Sequence, residues 1–309
     1  MLMTPAVRWS SGHSLDEADV HKTDAITFHC SEFFLDQRHV ITSSSNPLLK
    51  EAIQLRSASM RLRTGCTLVD GRREIRAAIA ASVEILEVFV DASDESADTH
   101  ALLEVLASRG SRMVMLATRV FTKLAFGARN EGVVALVRWK AGGLAELPSV
   151  FTAPIFVIEA VEKPGNLGAI FRSADATGIA AVVVADGRTD PANPAVIRSS
   201  LGTVFSVPLA VASTQNTIDW CFATNRRIVA ASPEGAVEWH TVDLTGSVAI
   251  LFGNESFGIS NLWKESSALN RLSWQEVRLP MCGLANSLNV SASAAVFAYE
   301  SLRQRVSKR

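Results

Sequence analysis

The feature that most constrains this chain is the alternation of short apolar runs with helical segments, carried in two blocks. In the first block Asn46 can cap, and Pro47 can open, a helix over 47–63 that Thr64-Gly65 closes. Strand-like runs follow at 66–71, 85–91, 112–117 and 132–139, with helices between them at 72–81, 101–109 and 120–126. The stretch KAGGLAELPS (140–149) carries Gly-Gly and Pro and marks a linker. The second block opens with PIFVIEAV, an unbroken apolar run suited to a parallel strand buried on both faces. Further strands fall at 180–186, 205–211, 227–232, 248–254 and 276–281. Helices fall at 169–177, 194–199 and 217–224, and a long alanine-bearing helix spans 287–305. This alternation predicts an α/β fold throughout. The expected organisation is a smaller α/β domain over 41–140, a linker over 141–152, and over 153–309 a mainly parallel sheet with helices on both faces. Residues 1–40 show no sustained period and read as a partly disordered extension.

Composition narrows the class. Of 309 residues, 48% are hydrophobic and 20% charged, enough apolar material for buried cores. Net charge is −1, so a nucleic-acid contact has to come from a local basic patch. One such patch lies between 46 and 76, where Lys50, Arg56, Arg61, Arg63, Arg72, Arg73 and Arg76 outnumber Glu51, Asp70 and Glu74. It reads equally as a phosphate-binding surface and as a solvated helix face. Cys30, Cys66, Cys221 and Cys282 form no CxxC pair, and the six His form no ligand cluster. Neither a disulfide framework nor a metal site is expected, and a reducing cytoplasmic setting fits. No apolar segment marks a secretion signal, and none reaches the roughly 18 residues of a membrane span.

Three polar clusters in the second block each follow a strand, the edge where open α/β sheets hold ligands. The first is EKPGNLGAIFRSADATG (162–178), where Gly168 permits close packing, Asn166 offers donor and acceptor, and Arg172 can hold a phosphate. The same residues also suit a capped turn with a surface arginine. The second is LFGNESFGIS (251–260), which presents Gly253 and Glu255 after an apolar strand. The third is RLPMCGLANSLNVSASAAVFAYE (278–300), an irregular loop with Ser287, Asn289 and Ser291 ahead of a helix of small residues. Neither glycine cluster has the G-x-G-x-x-G spacing of a dinucleotide site, which argues against a nicotinamide-dependent oxidoreductase.

Taken in order, N-L-G-A-I-x-R, G-N-E-x-x-G and L-P-M-x-G-x-x-x-S-L-N-V-S resemble the motif set of the SpoU (TrmH) family of the SPOUT methyltransferase superfamily, over essentially all of 153–305. The segments SSSNPLLKEAIQLRSASMRLRTG, EILEVFVD and FTKLAFGARNEGVVALV resemble the ribosomal-protein-like substrate-binding domain that often precedes it. The resemblance implies a SPOUT-type catalytic domain with a deep trefoil knot, S-adenosylmethionine as cofactor, and methylation of a ribose 2′-hydroxyl in RNA. Ribosomal RNA is favoured, with tRNA or a catalytically inactive RNA-binding relative as alternatives, and neither DNA nor a membrane is expected as a partner. It implies a cofactor pocket at Gly253, Leu279 and Leu288, with Met281 and Gly283 nearby, and a catalytic set of Asn166, Arg172, Glu255, Ser287 and Asn289. It also implies a homodimer packed through the knotted domain, with Arg172 serving a site shared between subunits. RNA capture is expected from the first domain through Arg61, Arg63 and Arg72.

Overall fold

Asn46 caps the first helix as its position predicts, its Oδ1 accepting from the Leu48 amide at 3.0 Å. The structure is a computed structural model that describes residues 40–308 except 127–130, 149 and 269–270. The extension expected over 1–40 lies, apart from its last residue, outside the described residues.

The first domain contains α1 (Pro47–Gln54), α2 (Ala58–Thr64), β1 (Cys66–Asp70), α3 (Arg72–Ala80) and β2 (Glu84–Asp91), then α4 (Ala97–Ser108), β3 (Arg112–Leu116), α5 (Thr118–Leu124) and β4 (Val133–Arg138). Its four strands run in the order β1-β4-β2-β3. Only β2 and β3 are parallel, while β4 lies antiparallel between β1 and β2. Leu49, Leu55, Leu68, Phe89, Phe121 and Val134 form one side of its core.

The first domain departs from the helix expected over 47–63. The single helix over 47–63 is two helices, because Ser57 adopts extended backbone (ψ 132°) and starts α2 afresh. The break is held by Arg61, whose Nη1 donates to the carbonyls of Leu55 and Arg56, both at 2.8 Å. Those carbonyls belong to the C-cap of α1 and the residue after it, where no further helical turn supplies a donor. Arg61 is only 5% exposed, and its other face forms an ion pair with Asp190 at 2.6 Å. Arg61, expected among the exposed basic residues, is therefore taken up by structural contacts instead.

The second domain contains β5 (Ile155–Glu159), α6 (Pro164–Thr177), β6 (Val182–Ala185), α7 (Pro194–Ser199), β7 (Leu209–Ala212) and α8 (Thr214–Ala223). It continues with β8 (Arg227–Ala231), β9 (Val237–Glu238), β10 (Val248–Phe252), α9 (Asn261–Ala268), β11 (Trp274–Arg278) and α10 (Val290–Ser307). The strand order is β7-β6-β5-β10-β8-β11-β9, and every pairing is parallel. Strands β5, β6 and β10 are buried along their whole length, as their continuous apolar sequences require. On one face Ile155, Val157, Val183 and Leu251 pack with Ile218 and Cys221 of α8 and Trp263 of α9. On the other, Phe156 meets Phe252 edge-on at 5.2 Å, and Phe252 meets Phe297 of α10 at 5.6 Å.

The strand expected over 205–211 begins only at Leu209. Residues 203–205 form a 3-10 turn, entered through Gly202 at φ +82° and closed by the Thr203 and Ser206 hydroxyls on local carbonyls. The chain between β6 and β7 docks on the first domain. Besides Arg61 with Asp190, Arg198 pairs with the buried Asp70 at 2.7 Å and the Thr67 hydroxyl donates to the Ala192 carbonyl at 2.6 Å. A Cβ on Gly202 would stand 2.5 Å from the Cβ of Ala77, so only glycine permits this approach.

Candidate active site

Three segments that leave the sheet at the carboxyl ends of β5, β10 and β11 come together above it. Asn166 sits in the first turn of α6, which Pro164 opens, and is 9% exposed. Its Nδ2 donates to Glu255 Oε1 at 2.8 Å, and its Oδ1 accepts from Asn289 Nδ2 at 3.1 Å. Asn289 is the N-cap of α10, with Oδ1 accepting from the Ser291 amide at 2.9 Å and the Ser291 hydroxyl at 2.7 Å. The chain has one direction. The Ser291 amide can only donate, which makes Oδ1 the acceptor of Asn289 and its Nδ2 the donor to Asn166, leaving Asn166 Nδ2 to face the Glu255 oxygen.

Glu255 is carried by a tight turn after β10. Asn254 and Gly258 exchange backbone hydrogen bonds at 2.9 and 3.0 Å, and a Cβ on Gly253 would lie 2.3 Å from the backbone of Gly258. Glycine at 253 is what lets the turn fold back on its own strand. Asn254 is buried, and its Nδ2 reaches the Ala160 carbonyl at 2.8 Å, tying the turn to the end of β5. At the far end of the first segment, Gly168 packs against α7, where a Cβ would meet Ser199 Oγ at 2.0 Å.

These segments border a cavity of about 590 Å³. Of the expected residues, Gly253, Glu255, Leu279, Met281, Ser287, Leu288 and Asn289 line it, and Asn166 joins through its bonds to Glu255 and Asn289. Two expected residues do not. Gly283 is exposed, outside the lining, with nothing within 4 Å of a Cβ built on it. Arg172 is exposed on α6 outside the lining, about 9 Å along the helix axis from Asn166, and no hydrogen bond or ion pair engages it among the described residues. The basic residues of the first domain also diverge. Arg72 is half-buried and held by Ser96 and Thr99, both at 3.1 Å, whereas Arg63 is exposed with Nη2 on the Met60 sulfur.

Sequence reasoning missed Lys163, Ser232 and Glu234 in the lining. Lys163 stands three residues before Asn166 in the quoted motif. The turn at 232–235 follows β8 and obeys the same carboxyl-end rule, but SPEG carries no distinctive spacing. Among the described residues no group of His, Cys, Asp and Glu has the arrangement of a metal site, and no helix is long and apolar enough to cross a membrane.

A parallel α/β sheet carrying a polar-rimmed cavity over the ends of its central strands, with a smaller mixed α/β sheet docked beside it, places the chain among α/β proteins of the open-sheet class. The model of the SpoU rRNA methylase family matches residues 153–299, and that of the MRM3-like substrate-binding domain matches 46–135. The chain is 34% identical over 226 residues to the 23S rRNA (guanosine-2'-O-)-methyltransferase RlmB of Bordetella pertussis, covering 72% of this chain and 90% of the relative. A solved RNA 2'-O ribose methyltransferase superposes with TM-score 0.76 at 36% identity, covering 87% of this chain and 100% of the other. The SpoU methyltransferase AviRb of Streptomyces viridochromogenes in complex with AdoMet gives TM-score 0.74 at 28% identity, over 85% of this chain and 100% of that one. The chain belongs to the SpoU rRNA methylase family.

Proposed function

We propose that the protein transfers a methyl group from S-adenosylmethionine to a ribose 2′-hydroxyl of ribosomal RNA. The observation that carries this reading is the hydrogen-bonded series Asn289–Asn166–Glu255 on the rim of a cavity of about 590 Å³. The cavity falls in the size range of small-molecule sites. Phe252, Leu279, Met281, Leu288 and Phe297 supply apolar wall for a purine, while Lys163 and Glu234 supply charges for an amino-acid moiety. Gly253, Leu279, Met281 and Leu288 would hold the cofactor, with Gly283 at the outer loop.

Bound there, the cofactor supplies a methyl group on a cationic sulfur. The protein then has to align an acceptor, exclude water and stabilise the charge that develops on the acceptor oxygen. A 2′-hydroxyl distinguishes RNA from DNA and needs help to lose its proton. Asn166, Ser287 and Asn289 orient the ribose, and Glu255 fixes Asn166. The Arg172 guanidinium offers five donors and no acceptor, so its role is to bind the adjacent phosphate and stabilise the nascent alkoxide, not to act as base. Its exposure outside the cavity of its own chain supports a homodimer in which Arg172 serves the partner copy's site. The sheet order, with β10 and β11 flanking β8 while α10 returns onto α6, supports a trefoil knot in 153–309. Residues 41–140 act as the RNA-capturing domain through exposed side chains such as Arg63, Arg73 and Arg76, joined by the linker at 141–152. A cytoplasmic setting fits that RNA substrate.

The test is transfer of labelled methyl from S-adenosylmethionine to ribosomal RNA lacking its own modifications, read as alkali-resistant linkages. Wild type should label one site, and Asn166→Ala should bind cofactor but label at least tenfold more slowly. Absence of both cofactor binding and labelling in the wild type would sink the reading.

A further inference from the structure

A buried carboxylate behind the cavity has no part in the chemistry above. Glu159 ends β5 and is 3% exposed. Its Oε1 accepts from the Ser260 hydroxyl at 2.7 Å, the Trp263 indole at 3.1 Å and the Thr214 hydroxyl at 3.1 Å. Its Oε2 accepts from the Ser260 amide at 2.9 Å. Four donors from three elements thus meet one side chain. Burying a carboxylate is costly, and apolar packing would fill this space at less cost. The arrangement calls for a reason other than core stability.

That reason lies in where the bonds lead. The next residue, Ala160, has left-handed backbone at φ +51°, a strained conformation for a residue with a Cβ, and its carbonyl accepts from Asn254 Nδ2 at 2.8 Å. Asn254 begins the turn that carries Glu255, and Ser260 ends it. Glu159, the last residue of β5, and Ala160, which follows it, therefore grip the two ends of one turn, whose middle closes through the Asn254–Gly258 bonds. Gly253, just before that turn, and Glu255, within it, line the cavity, while Glu159 does not.

We infer that Glu159 is a positioning residue that sets the 254–260 turn, and through it the cofactor side of the cavity; the inference rests on the proposed function for the identity of the ligand. The substitution Glu159→Gln keeps the volume and shows why a carboxylate is needed. The Thr214 and Ser260 hydroxyls can turn to accept, but the Trp263 indole and the Ser260 amide can only donate. Whichever way the new amide points, its NH2 opposes one of these two N–H groups. A buried donor left without a partner disfavours the arrangement that buries it by about tenfold or more in an equilibrium.

The experiment uses the full chain and three readouts: calorimetric affinity for S-adenosylhomocysteine, hydrogen exchange at the Ser260 amide, and the urea midpoint. Glu159→Gln is expected to weaken affinity about tenfold and speed exchange at Ser260. Thr214→Val removes a donor on the α8 side, away from the turn, and is expected to lower the urea midpoint while affinity stays within about twofold. Unchanged affinity in Glu159→Gln overturns the inference. So does a loss of affinity in both variants in proportion to lost stability, which makes Glu159 a core residue only. If the wild type binds no S-adenosylhomocysteine, the ligand assignment fails, and the Ser260 exchange rate still decides whether Glu159 sets the turn.

Discussion

The junction between the domains and the cleft above the sheet both bury charge, and they use it in opposite ways. At the junction, charges neutralise one another: Arg61 with Asp190, and Arg198 with Asp70. Burial pushes the Asp70 carboxyl up from its usual value, against the pull of the Phe126 amide and Arg198, and its Oδ1 meets no donor among the described residues. In the cleft, polar groups bond to one another in a directed series and leave Glu255, Ser287 and Asn289 exposed. Buried polar groups that satisfy each other hold a shape. Those that stop short of closing on themselves remain available to a ligand. The basic side chains show the same division, since Arg61 is consumed by structure while Arg63 and Arg172 stay exposed.

The largest expected effect breaks the comparison on the cleft side. Arg172→Ala should lower kcat by about 10²–10³, the cost of losing a donor to a developing oxyanion, with cofactor affinity within about twofold. Equal losses of rate and affinity in single-turnover and calorimetric measurements would place Arg172 in cofactor binding instead. Mixed dimers of Arg172→Ala and Glu255→Ala chains that recover activity would place the arginine across the subunit boundary.

At the junction the expected loss is in stability. Arg198→Ala leaves Asp70 buried without its cation and should cost about 3–5 kcal/mol in urea unfolding. The turnover of the molecules that stay folded should hardly change. A stability loss below about 1 kcal/mol would mean that water reaches Asp70 and that the junction is no clamp.

The two arginines of α2 sharpen the contrast at smaller scale. Arg63→Ala should reduce the salt slope of RNA binding by about 1, and Arg61→Ala should leave that slope alone while destabilising the fold. The reverse result would return Arg61 to the RNA surface.

The smallest effect is in pH. Asp70 has a raised pKa, so its contribution to stability is present below the ordinary value of 3.8 and is lost as pH rises through the raised one. Glu300 is held low by hydrogen bonds from Arg303, so its contribution is lost as pH falls below 4.5. Melting temperatures between pH 6 and 4 should fall more steeply on acidification in Asp70→Asn, and less steeply in Glu300→Gln, than in the wild type. Identical slopes would mean that neither group differs between the folded and unfolded chain.

Much of the architecture was legible. The four strands expected in the first domain coincide with β1 to β4 within a residue or two, because hydrophobic runs between turn residues report burial directly. The errors have local causes. Ser57 and the reach of Arg61 break a helix that the spacing made continuous, and α10, capped by Asn289, begins at Val290, three residues after its expected start. The helix α9 and the short strand β9 carried too weak a pattern to be anticipated. In the cleft, the motifs announced Asn166, Glu255 and Asn289 but not their mutual hydrogen bonds, and nothing announced Glu159, which in sequence is one more residue of an apolar strand.

What the sequence by itself determined is the alternation that makes two α/β halves and the placing of polar loops after buried strands, since both depend on neighbours within a few residues. Which of those loops meet was decided only by tertiary structure. Asn166 bonds to residues 89 and 123 positions away, and Arg61 closes an ion pair across 129. Such contacts depend on the order in which strands enter the sheet, and no local pattern in the chain encodes that order.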